Sequence, residues 1–348
     1  MIQTIGIVSL SSGILGEASV KHELALGLRR LRDMGLTVKF LPHALMGLDY
    51  VQKHPEKRAE DLLLAFRDPE IDLILCAIGG DDTYRLLPYL FAHDELKNAL
   101  SGKAFLGFSD TTLNHFMLHK LGLPSFYGQS FLADVCELGP DMLPYSRHYF
   151  EALIATGSIR EVRPSPVWYW ERERFDASQL GLALPPLPDT GFELLQGSPR
   201  FSGKILGGCI DSMFDLFDGT RYADMPLLCE KYGLFPTTDD WQGRILLLES
   251  SEERMSPAQY RRALEYLKGA GVFGAVAGVL VGKPMNREYE SEYKRLLVEV
   301  VDDPALPIVC NLNIGHAQPR CILPLGVTAH VDAEAQLIRF EEKGDALC

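Results

Sequence analysis

The sequence has few positive charges relative to its negative ones. It contains 34 Lys and Arg residues against 47 Asp and Glu residues, which gives a formal net charge of -13 at pH 7. A surface of this average sign repels the phosphate backbone of DNA or RNA. We therefore expect no nucleic-acid polymer as a partner, and we favour a small molecule as the ligand.

The sequence also lacks long apolar runs and closely paired cysteines. No run reaches the roughly 20 apolar residues of a membrane span, and residues 1–13 lack the positively charged start of a secretory signal. The seven cysteines are widely spaced and include no C-x-x-C pair, which argues against a disulfide framework. These absences predict a cytoplasmic protein with reduced thiols and no membrane association.

Short apolar runs alternate with amphipathic stretches in the first half of the chain. TIGIVSL precedes VKHELALGLRRLRDMG, and IDLILCAIGG precedes TYRLLPYLFAHDEL. Such alternation predicts βαβ units around a parallel sheet that is covered on both faces. The chain has 348 residues, whereas single cores stop growing at roughly 250 residues, so two domains are expected. The predicted fold class is α/β, with a doubly wound N-terminal domain and a mixed α/β C-terminal domain that contains a small barrel-like sheet.

A break in this alternation divides the chain. Residues 162–200 are rich in proline and aromatic residues and include RPSPVWYWERERF. We predict an N-terminal domain over residues 1–161, a connecting segment over residues 162–200 and a C-terminal domain over residues 201–348. The last of these mixes strand-like runs such as RILLLE with helical stretches such as SPAQYRRALEYLKGAG.

Two turns that follow apolar runs are candidate functional sites, because ligands gather beyond the carboxyl ends of strands in open α/β sheets. The first is Gly79-Gly80-Asp81-Asp82-Thr83, where glycine permits positive φ and a close backbone approach. It resembles the GGDGT phosphate loop of several kinases. However, Asp82 replaces the third glycine, and adjacent carboxylates disfavour a phosphate. The structural alternative is a tight turn that caps the following helix.

The second turn is GFSDTTLN, which begins at Gly107. A strand followed directly by a helix would raise the Ser109 hydroxyl above the sheet at the helix N-terminus. The turn matches the first half of the G-x-S-x-G nucleophile elbow, but Thr111 stands in place of the second glycine. The alternative is that Ser109 or Asp110 simply caps the helix.

A serine nucleophile requires a histidine base that is oriented by a carboxylate. Four histidines lie in helix-like stretches and are expected to be packed or solvated: His22, His115, His119 and His148. His115 and His119 have the i, i+4 spacing of zinc ligands, but Phe116 occupies the place of the zincin glutamate. His316 lies instead in the loop NIGHAQP, and Glu249 ends the strand-like run RILLLE. A strand-end carboxylate could orient this imidazole; the alternatives are a solvated acid and an ordinary loop histidine.

Six stretches together resemble the serine peptidase family that contains LD-carboxypeptidases and the microcin C7 immunity peptidase. They are IGIVSLSSG, EDLLLAFRDPEIDLILCAIGGDDTYRLLPYL, KAFLGFSDTT, GKILGGCIDSMFDLFDGT, GRILLLES and IGHAQPRCILPLG. This resemblance covers nearly the whole chain. It implies a Ser-His-Glu triad at Ser109, His316 and Glu249, in a cleft between two domains. It also implies a homodimer and no metal or other cofactor.

The same resemblance assigns further site residues. It implies that the backbone N–H groups of Gly80 and Asp110 form the oxyanion hole. It also makes Gly79 and the side chains of Asp81 and Asp82 candidate substrate contacts, since a carboxylate there could hold an amino group of a peptide.

Two kinds of substrate follow from the resemblance. One branch of the family releases D-alanine from the stem tetrapeptide of murein, and the other cleaves an aminoacyl-nucleotide carboxamide. The stretch Trp168-Tyr169-Trp170 resembles the second branch, in which an aromatic ring stacks on the nucleobase, so Trp168 and Trp170 are candidate substrate contacts. Against a nucleotide, the segment SSEER offers only Arg254 as a positive charge. Cys209 stands where the carboxypeptidase branch often has asparagine.

We therefore predict a serine-type carboxypeptidase or amide hydrolase that acts on a small peptide-like substrate through an acyl-enzyme, in the manner of the immunity peptidase. One alternative is an LD-carboxypeptidase that releases D-alanine from murein tetrapeptide. An alternative from another class is a non-catalytic protein of the same fold that binds a nucleotide or peptide in the cleft. A kinase that uses the GGDDT turn would bind Mg-ATP, but no convincing lysine lies near this turn.

Overall fold

The fold is built on three β-sheets, as seen in a computed structural model that describes residues 1–341. The strands of these residues are β1 (Thr4–Val8), β2 (Thr37–Phe40), β3 (Leu73–Cys76), β4 (Ala104–Gly107), β5 (Ser125–Tyr127), β6 (Glu161–Val162), β7 (Val167–Trp168), β8 (Leu187–Pro188), β9 (Glu193–Gln196), β10 (Arg200–Cys209), β11 (Ile245–Glu249), β12 (Gly278–Gly282), β13 (Ile308–Leu312), β14 (Leu323–Leu325), β15 (Thr328–Asp332) and β16 (Leu337–Phe340).

Helices connect most of these strands. They are α1 (Lys21–Asp33), α2 (Leu48–Lys53), α3 (Pro55–Arg67), α4 (Leu87–Phe91), α5 (Glu95–Ala99), α6 (Thr112–Lys120), α7 (Pro144–Thr156), α8 (Ile210–Asp218), α9 (Met225–Lys231), α10 (Thr238–Trp241), α11 (Pro257–Gly269), α12 (Val272–Ala275) and α13 (Glu290–Val301). The helix predicted over SPAQYRRALEYLKGAG is α11, where Ser256 and Gln259 form a capping box and Pro257 occupies the first turn. These are strong start signals for a helix.

The first sheet is the parallel sheet that the sequence predicted for the N-terminal half. Its order is β14-β5-β4-β3-β1-β2, and every pairing from β5 to β2 is parallel. In β3 the side chains of Leu73 and Leu75 join one apolar cluster, whereas those of Ile74 and Cys76 join the other. Both faces of the strand are therefore buried, which explains why its sequence is continuously apolar instead of alternating.

The second sheet is the mixed sheet expected in the C-terminal part. Its order is β6-β16-β15-β10-β11-β12-β13-β9, with β10 to β13 parallel and the outer pairs antiparallel. The long strand β10 pairs with β15 through its first half and with β11 through its second half. The hairpin predicted at the end of the described chain is β15–β16.

The two large sheets exchange short segments. β14 lies in the predicted C-terminal domain but pairs with β5 of the first sheet, where Leu323 faces Tyr127. β6 lies at the predicted domain boundary and pairs with β16 of the second sheet. Residues 162–200, predicted as a connection, also form the small sheet β7–β8 and supply the edge strand β9. The two halves of the chain are thus joined at more than one place.

Six of the cysteines are buried and free of disulfides: Cys76, Cys136, Cys209, Cys229, Cys310 and Cys321. Cys348 lies outside the described residues. Within residues 1–341, none of the helices combines the length and the apolar composition that crossing a bilayer requires.

Candidate active site

Ser109 lies on a sharp turn between β4 and α6. Its φ is +65°, a left-handed backbone conformation that non-glycine residues seldom adopt. A single 3₁₀ turn over Ser109–Thr111 follows before α6 begins at Thr112. The hydroxyls of Thr111 and Thr112 donate hydrogen bonds of 2.7 Å to the carbonyls of Phe108 and Ser109. These bonds hold the turn in the conformation that a nucleophile elbow uses to expose a serine hydroxyl.

The two turns that the sequence singled out meet at Ser109. A Cβ atom placed on Gly79 would lie 2.6 Å from Ser109 Cβ and 2.8 Å from Ser109 Oγ, so only glycine leaves room there. Gly80 has φ +151°, and a Cβ on it would lie 2.3 Å from Ser11 Oγ. Gly79 therefore brings the backbone of this turn into direct contact with Ser109, and Gly80 brings it into contact with Ser11.

Asp110 ties the two turns together through its side chain. Its buried carboxylate accepts hydrogen bonds from Ser11 Oγ at 2.5 Å and from the Thr83 N–H at 2.9 Å. Burial raises the pKa of Asp110 to about 6, against the smaller opposing effect of these hydrogen bonds. The side chain thus fixes the glycine turn relative to the start of α6, a positioning contact that the sequence did not reveal.

The two carboxylates predicted to contact substrate differ in their surroundings. Asp82 is buried and accepts hydrogen bonds from Arg58 Nη1 at 2.5 Å and Nη2 at 3.3 Å. Both carboxylate oxygens of Asp82 thus contact Arg58, and its role in holding a substrate amino group stays a prediction. Asp81 is exposed and lies 4.0 Å from Arg221, and its role stays a prediction.

The structure brings Ser109, His316 and Glu249 within hydrogen-bonding distance. His316 Nε2 lies 3.1 Å from Ser109 Oγ, and His316 Nδ1 lies 2.7 Å from Glu249 Oε2. Glu249 is the last residue of β11, and all five residues of this strand are buried. Gly315 has φ +86°, and a Cβ on it would lie 2.3 Å from Glu249 Oε2, so the histidine loop passes directly over the carboxylate. Such an arrangement suits attack by a serine with general-base assistance.

Tyr127 is a member of the site that the sequence analysis missed. Its hydroxyl donates a 2.6 Å hydrogen bond to Glu249 Oε1 and accepts a 3.1 Å hydrogen bond from the Ser109 N–H. One signal could have identified it, because Tyr127 ends β5 and the carboxyl ends of parallel neighbours meet at one edge of a sheet. Through this hydroxyl, the first sheet supports a carboxylate of the second.

A second carboxylate, also missed from the sequence, contacts His316 from the other side. Glu252 Oε2 lies 3.0 Å from His316 Nε2. Burial lowers the pKa of His316, but the nearby Glu249 and Glu252 carboxylates outweigh it and raise this pKa to about 10. The hydrogen bond with His316 in turn lowers the pKa of Glu252 to about 2. The imidazole is therefore strongly stabilised in its protonated form.

The donor atoms of Cys209, Glu249 and His316 lie within 4.8 Å of one another, a set that could in principle hold a metal ion. Burial and the nearby carboxylates raise the pKa of the Cys209 thiol well above its usual range, whereas a metal ligand must be a thiolate. Glu249 is also hydrogen-bonded to both His316 and Tyr127. The local chemistry therefore favours a hydrogen-bonded cluster over a metal site.

The aromatic segment lies beside the histidine loop. The Tyr169 N–H donates a 3.1 Å hydrogen bond to the carbonyl of Gln318, two residues after His316. Trp168 is buried, with the Arg287 guanidinium 5.1 Å from its ring centroid, whereas Trp170 is 50% exposed. Trp170 can therefore offer an indole face to a ligand, and the substrate contacts of both tryptophans stay predictions.

Two family models match the chain on either side of the aromatic segment. The model of the LD-carboxypeptidase N-terminal domain matches residues 5–128, and the model of the LD-carboxypeptidase C-terminal domain matches residues 202–331. The first match contains Ser109, and the second contains Glu249 and His316.

Individual proteins are similar to the chain over most of its length. A crystal structure of an MccF-like protein from Streptococcus pneumoniae in complex with AMP is 59% identical, with a TM-score of 0.97 over 98% of this chain and 99% of that one. The microcin C7 self-immunity protein MccF of Escherichia coli is 25% identical over 83% of this chain and 79% of its own. A probable murein peptide carboxypeptidase of Bacillus subtilis is 26% identical over 91% of this chain and 87% of its own.

Proposed function

The chain belongs to the LD-carboxypeptidase family, peptidase S66, as the sequence predicted, and we propose that it hydrolyses an amide through Ser109, His316 and Glu249. Family membership makes it a serine-type carboxypeptidase or amide hydrolase. The observation that supports this triad is the pair of contacts made by the imidazole: 3.1 Å from Nε2 to Ser109 Oγ and 2.7 Å from Nδ1 to Glu249 Oε2.

In the proposed mechanism, neutral His316 takes the proton of Ser109 through Nε2 as Oγ attacks the amide carbonyl. Glu249 accepts the Nδ1–H bond, which fixes the tautomer and offsets the imidazolium charge that develops. The imidazolium then protonates the leaving nitrogen, and the acyl group stays on Ser109. Water, deprotonated by His316, hydrolyses this acyl-enzyme and restores the serine.

The backbone N–H groups of Gly80 and Asp110 are proposed to bind the oxyanion. The contact between the glycine turn and the serine supports this assignment, because a Cβ on Gly79 would also lie 3.3 Å from the backbone nitrogen of Asp110. Donors that are fixed before the reaction stabilise the developing negative charge without reorganisation. Removal of one such donor typically lowers kcat about 100-fold or more.

For the substrate, we propose an aminoacyl-nucleotide carboxamide or a close analogue. The AMP bound by the 59% identical Streptococcus pneumoniae protein supports a nucleotide, and the exposed Trp170 ring could stack on a base. Arg254, the one positive charge predicted near a phosphate, pairs instead with Glu288 at 2.8 Å. A nucleotide would thus be held here more by stacking than by this arginine.

An LD-carboxypeptidase that releases D-alanine from murein tetrapeptide is the second candidate. The family description and the Bacillus subtilis relative both support it. From the same family resemblance we propose a cytoplasmic homodimer that uses no metal or other cofactor. Light scattering on the purified protein, with and without a chelator, tests the dimer.

The experiment that tests the proposed function offers the purified protein two substrates, an aminoacyl sulfamoyl adenosine and murein tetrapeptide, and identifies the products by mass spectrometry. Ser109→Ala should lower turnover by about 10³-fold or more and leave the fold unchanged. The matched control is Ser202→Ala, which changes an exposed serine of β10 and should have no effect. Full turnover by Ser109→Ala would refute the triad, and binding without cleavage by the unaltered protein would favour the non-catalytic alternative.

A further inference from the structure

Nε2 of His316 lies close to two groups that favour opposite protonation states of this nitrogen. Ser109 Oγ lies at 3.1 Å and Glu252 Oε2 at 3.0 Å. Neutral imidazole has one N–H, and the Nδ1–H donates to Glu249, which leaves a lone pair on Nε2. An ionised carboxylate can only accept hydrogen bonds. The contact with Glu252 is therefore attractive only when Nε2 also carries a proton.

A protonated Nε2 cannot accept the serine proton. The general base of the proposed mechanism must be neutral, so the Glu252 contact stabilises an unreactive form of the imidazole. The two functions of Nε2 are mutually exclusive, because a single nitrogen either donates to the carboxylate or accepts from Ser109 Oγ. Catalysis thus requires the Glu252 carboxylate to leave His316 and the Nε2 proton to pass to water, which leaves the neutral imidazole that accepts the serine proton.

Glu252 is placed so that its side chain can move while its backbone stays fixed. The side chain is 61% exposed, whereas Glu249 is fully buried. The preceding residue, Ser251, is anchored because its N–H and Oγ both donate to Asp211, at 2.9 and 2.8 Å. A rotation of the Glu252 side chain toward the solvent therefore breaks the contact without disturbing β11.

We propose that Glu252 is a positioning residue that keeps His316 protonated in the resting site and that the α-ammonium group of an aminoacyl amide draws it away. This inference rests on the proposed triad. An α-ammonium group is attached to the carbon beside the scissile carbonyl, and Glu252 and Ser109 Oγ contact the same nitrogen. An amine on a carbonyl held at Ser109 therefore comes within reach of the Glu252 carboxylate.

The charges around Glu252 favour a cation as the group that draws it away from His316. Two cations lie near this loop: Arg254 pairs with Glu288 at 2.8 Å, and Arg221 contacts Glu253 and lies 3.8 Å from Asp215 and 4.0 Å from Asp81. Because three carboxylates surround Arg221 and a fourth pairs with Arg254, the region around Glu252 keeps an excess of negative charge. An ammonium ion is attracted to such a region, and it can replace the imidazolium as the partner of Glu252.

Removing the negative charge of Glu252 should make His316 a weaker base that is neutral at lower pH. The titratable and charged groups that face the imidazole are Glu249 of β11, Glu252 of the following loop, Asp211 of α8, Cys209 of β10 and Arg320, whose Nη2 donates to the His316 carbonyl. Glu252 is the exposed carboxylate of this set, so it can be changed with little effect on the buried hydrogen bonds.

The first test measures the titration of the His316 ring in the ligand-free, full-length protein by NMR. Glu252→Gln keeps the size of the side chain and removes its charge. It should lower the pKa of His316 by about 1–2 units, as expected for loss of an adjacent opposite charge. The matched control, Glu253→Gln, changes the neighbour that contacts Arg221 and should leave this pKa unchanged. An unchanged titration in Glu252→Gln would overturn the inference.

The second test compares an aminoacyl sulfamoyl adenosine with its N-acetylated form. The unaltered protein should prefer the free amine by at least 10-fold in kcat/KM, and Glu252→Gln should reduce this preference to about threefold or less. With the N-acetylated substrate, the acid limb of the pH profile of kcat/KM should lie at lower pH for Glu252→Gln than for the unaltered protein. The inference would be overturned if Glu252→Gln lowered kcat/KM equally for both substrates and left the pH profile unshifted. Failure of the unaltered protein to cleave the substrate with the free amine would also overturn it. Failure of the proposed function is recognised separately, by turnover that survives in Ser109→Ala.

Discussion

Tyr127→Phe removes one oxygen atom at the contact between the two large sheets. The hydroxyl is fully buried, donates to Glu249 Oε1 at 2.6 Å and accepts from the Ser109 N–H at 3.1 Å. Burial raises the pKa of Tyr127 well above its usual range, so the hydroxyl keeps its proton at any working pH. The substitution preserves the ring and deletes these two hydrogen bonds, together with a longer one of 3.4 Å that Thr112 Oγ1 donates to the hydroxyl.

The expected loss of stability follows from the charge of each group that the Tyr127 hydroxyl contacts, the Glu249 carboxylate and the neutral Ser109 N–H. A hydrogen bond to an ionised group contributes about 1.5–3 kcal/mol, and one to a neutral group contributes about 0.5–1.5 kcal/mol. Tyr127→Phe should therefore lower the free energy of unfolding by about 2–4 kcal/mol. The triad keeps its three members but loses one support of Glu249, so the loss is smaller than the roughly 10⁴-fold effect of disabling a triad acid. We expect kcat/KM to fall about 10–100-fold.

Urea unfolding and steady-state kinetics on the same preparation measure both effects. The control is Tyr145→Phe, which removes a 2.6 Å hydrogen bond to the Arg163 carbonyl and does not touch the triad. It should cost about 0.5–1.5 kcal/mol and leave kcat/KM within twofold. If Tyr127→Phe keeps both its stability and its kcat/KM, the argument that this hydroxyl supports the site is wrong.

Two further predictions concern the surroundings of the site. Gly79→Ala would place a methyl group 2.6 Å from Ser109 Cβ, so kcat/KM should fall about 100-fold or more. The control is Gly102→Ala, at a position where a Cβ meets no atom within 4 Å, and it should leave kcat/KM unchanged. Equal kcat/KM values for the two variants would contradict the contact between Gly79 and Ser109. Burial lowers the pKa of His115 to about 4, whereas in the unfolded chain it stays near 6.5. The unfolded chain therefore binds an extra proton between these values, and the free energy of unfolding should fall by up to about 3 kcal/mol as the pH drops from 6.5 to 4. Urea unfolding across this range should show that His115→Gln lacks this part of the slope; an identical slope would mean that His115 is not held neutral.

Much of the fold could be predicted from local patterns. The apolar runs of the first half gave the parallel sheet, and the glycine, proline and polar residues between them gave the turns. The short strands β6 and β14 could not be predicted, because each has at most three residues and pairs with a strand far away in sequence. Their positions depend on tertiary pairing, which no local periodicity encodes. The same holds for the small strands inside residues 162–200.

The residues of the candidate site likewise differ in how far the sequence could predict them. Ser109, Glu249 and His316 could be selected because each follows an apolar run at a strand end, and the family resemblance then joined them. Tyr127 and Asp110 were harder to assign, since a tyrosine that ends an apolar strand and an aspartate at a helix start are both common structural features. The sequence position of Asp82 suggested a substrate contact, which stays a prediction, but no local pattern could show that its carboxylate is buried against Arg58.

The exchange of strands between the sheets bears on how the site works. Besides the Tyr127–Glu249 bond, the Cys209 N–H donates to Thr112 Oγ1 at 2.9 Å, which links the end of β10 to the start of α6. Gly208, with φ +151°, lies where a Cβ would come within 2.5 Å of the same oxygen. Because these buried contacts hold the two halves together, the triad distances are set by folding and no closure of one half onto the other is needed. Glu252, whose side chain is exposed at the edge of this site, is then free to respond to a substrate.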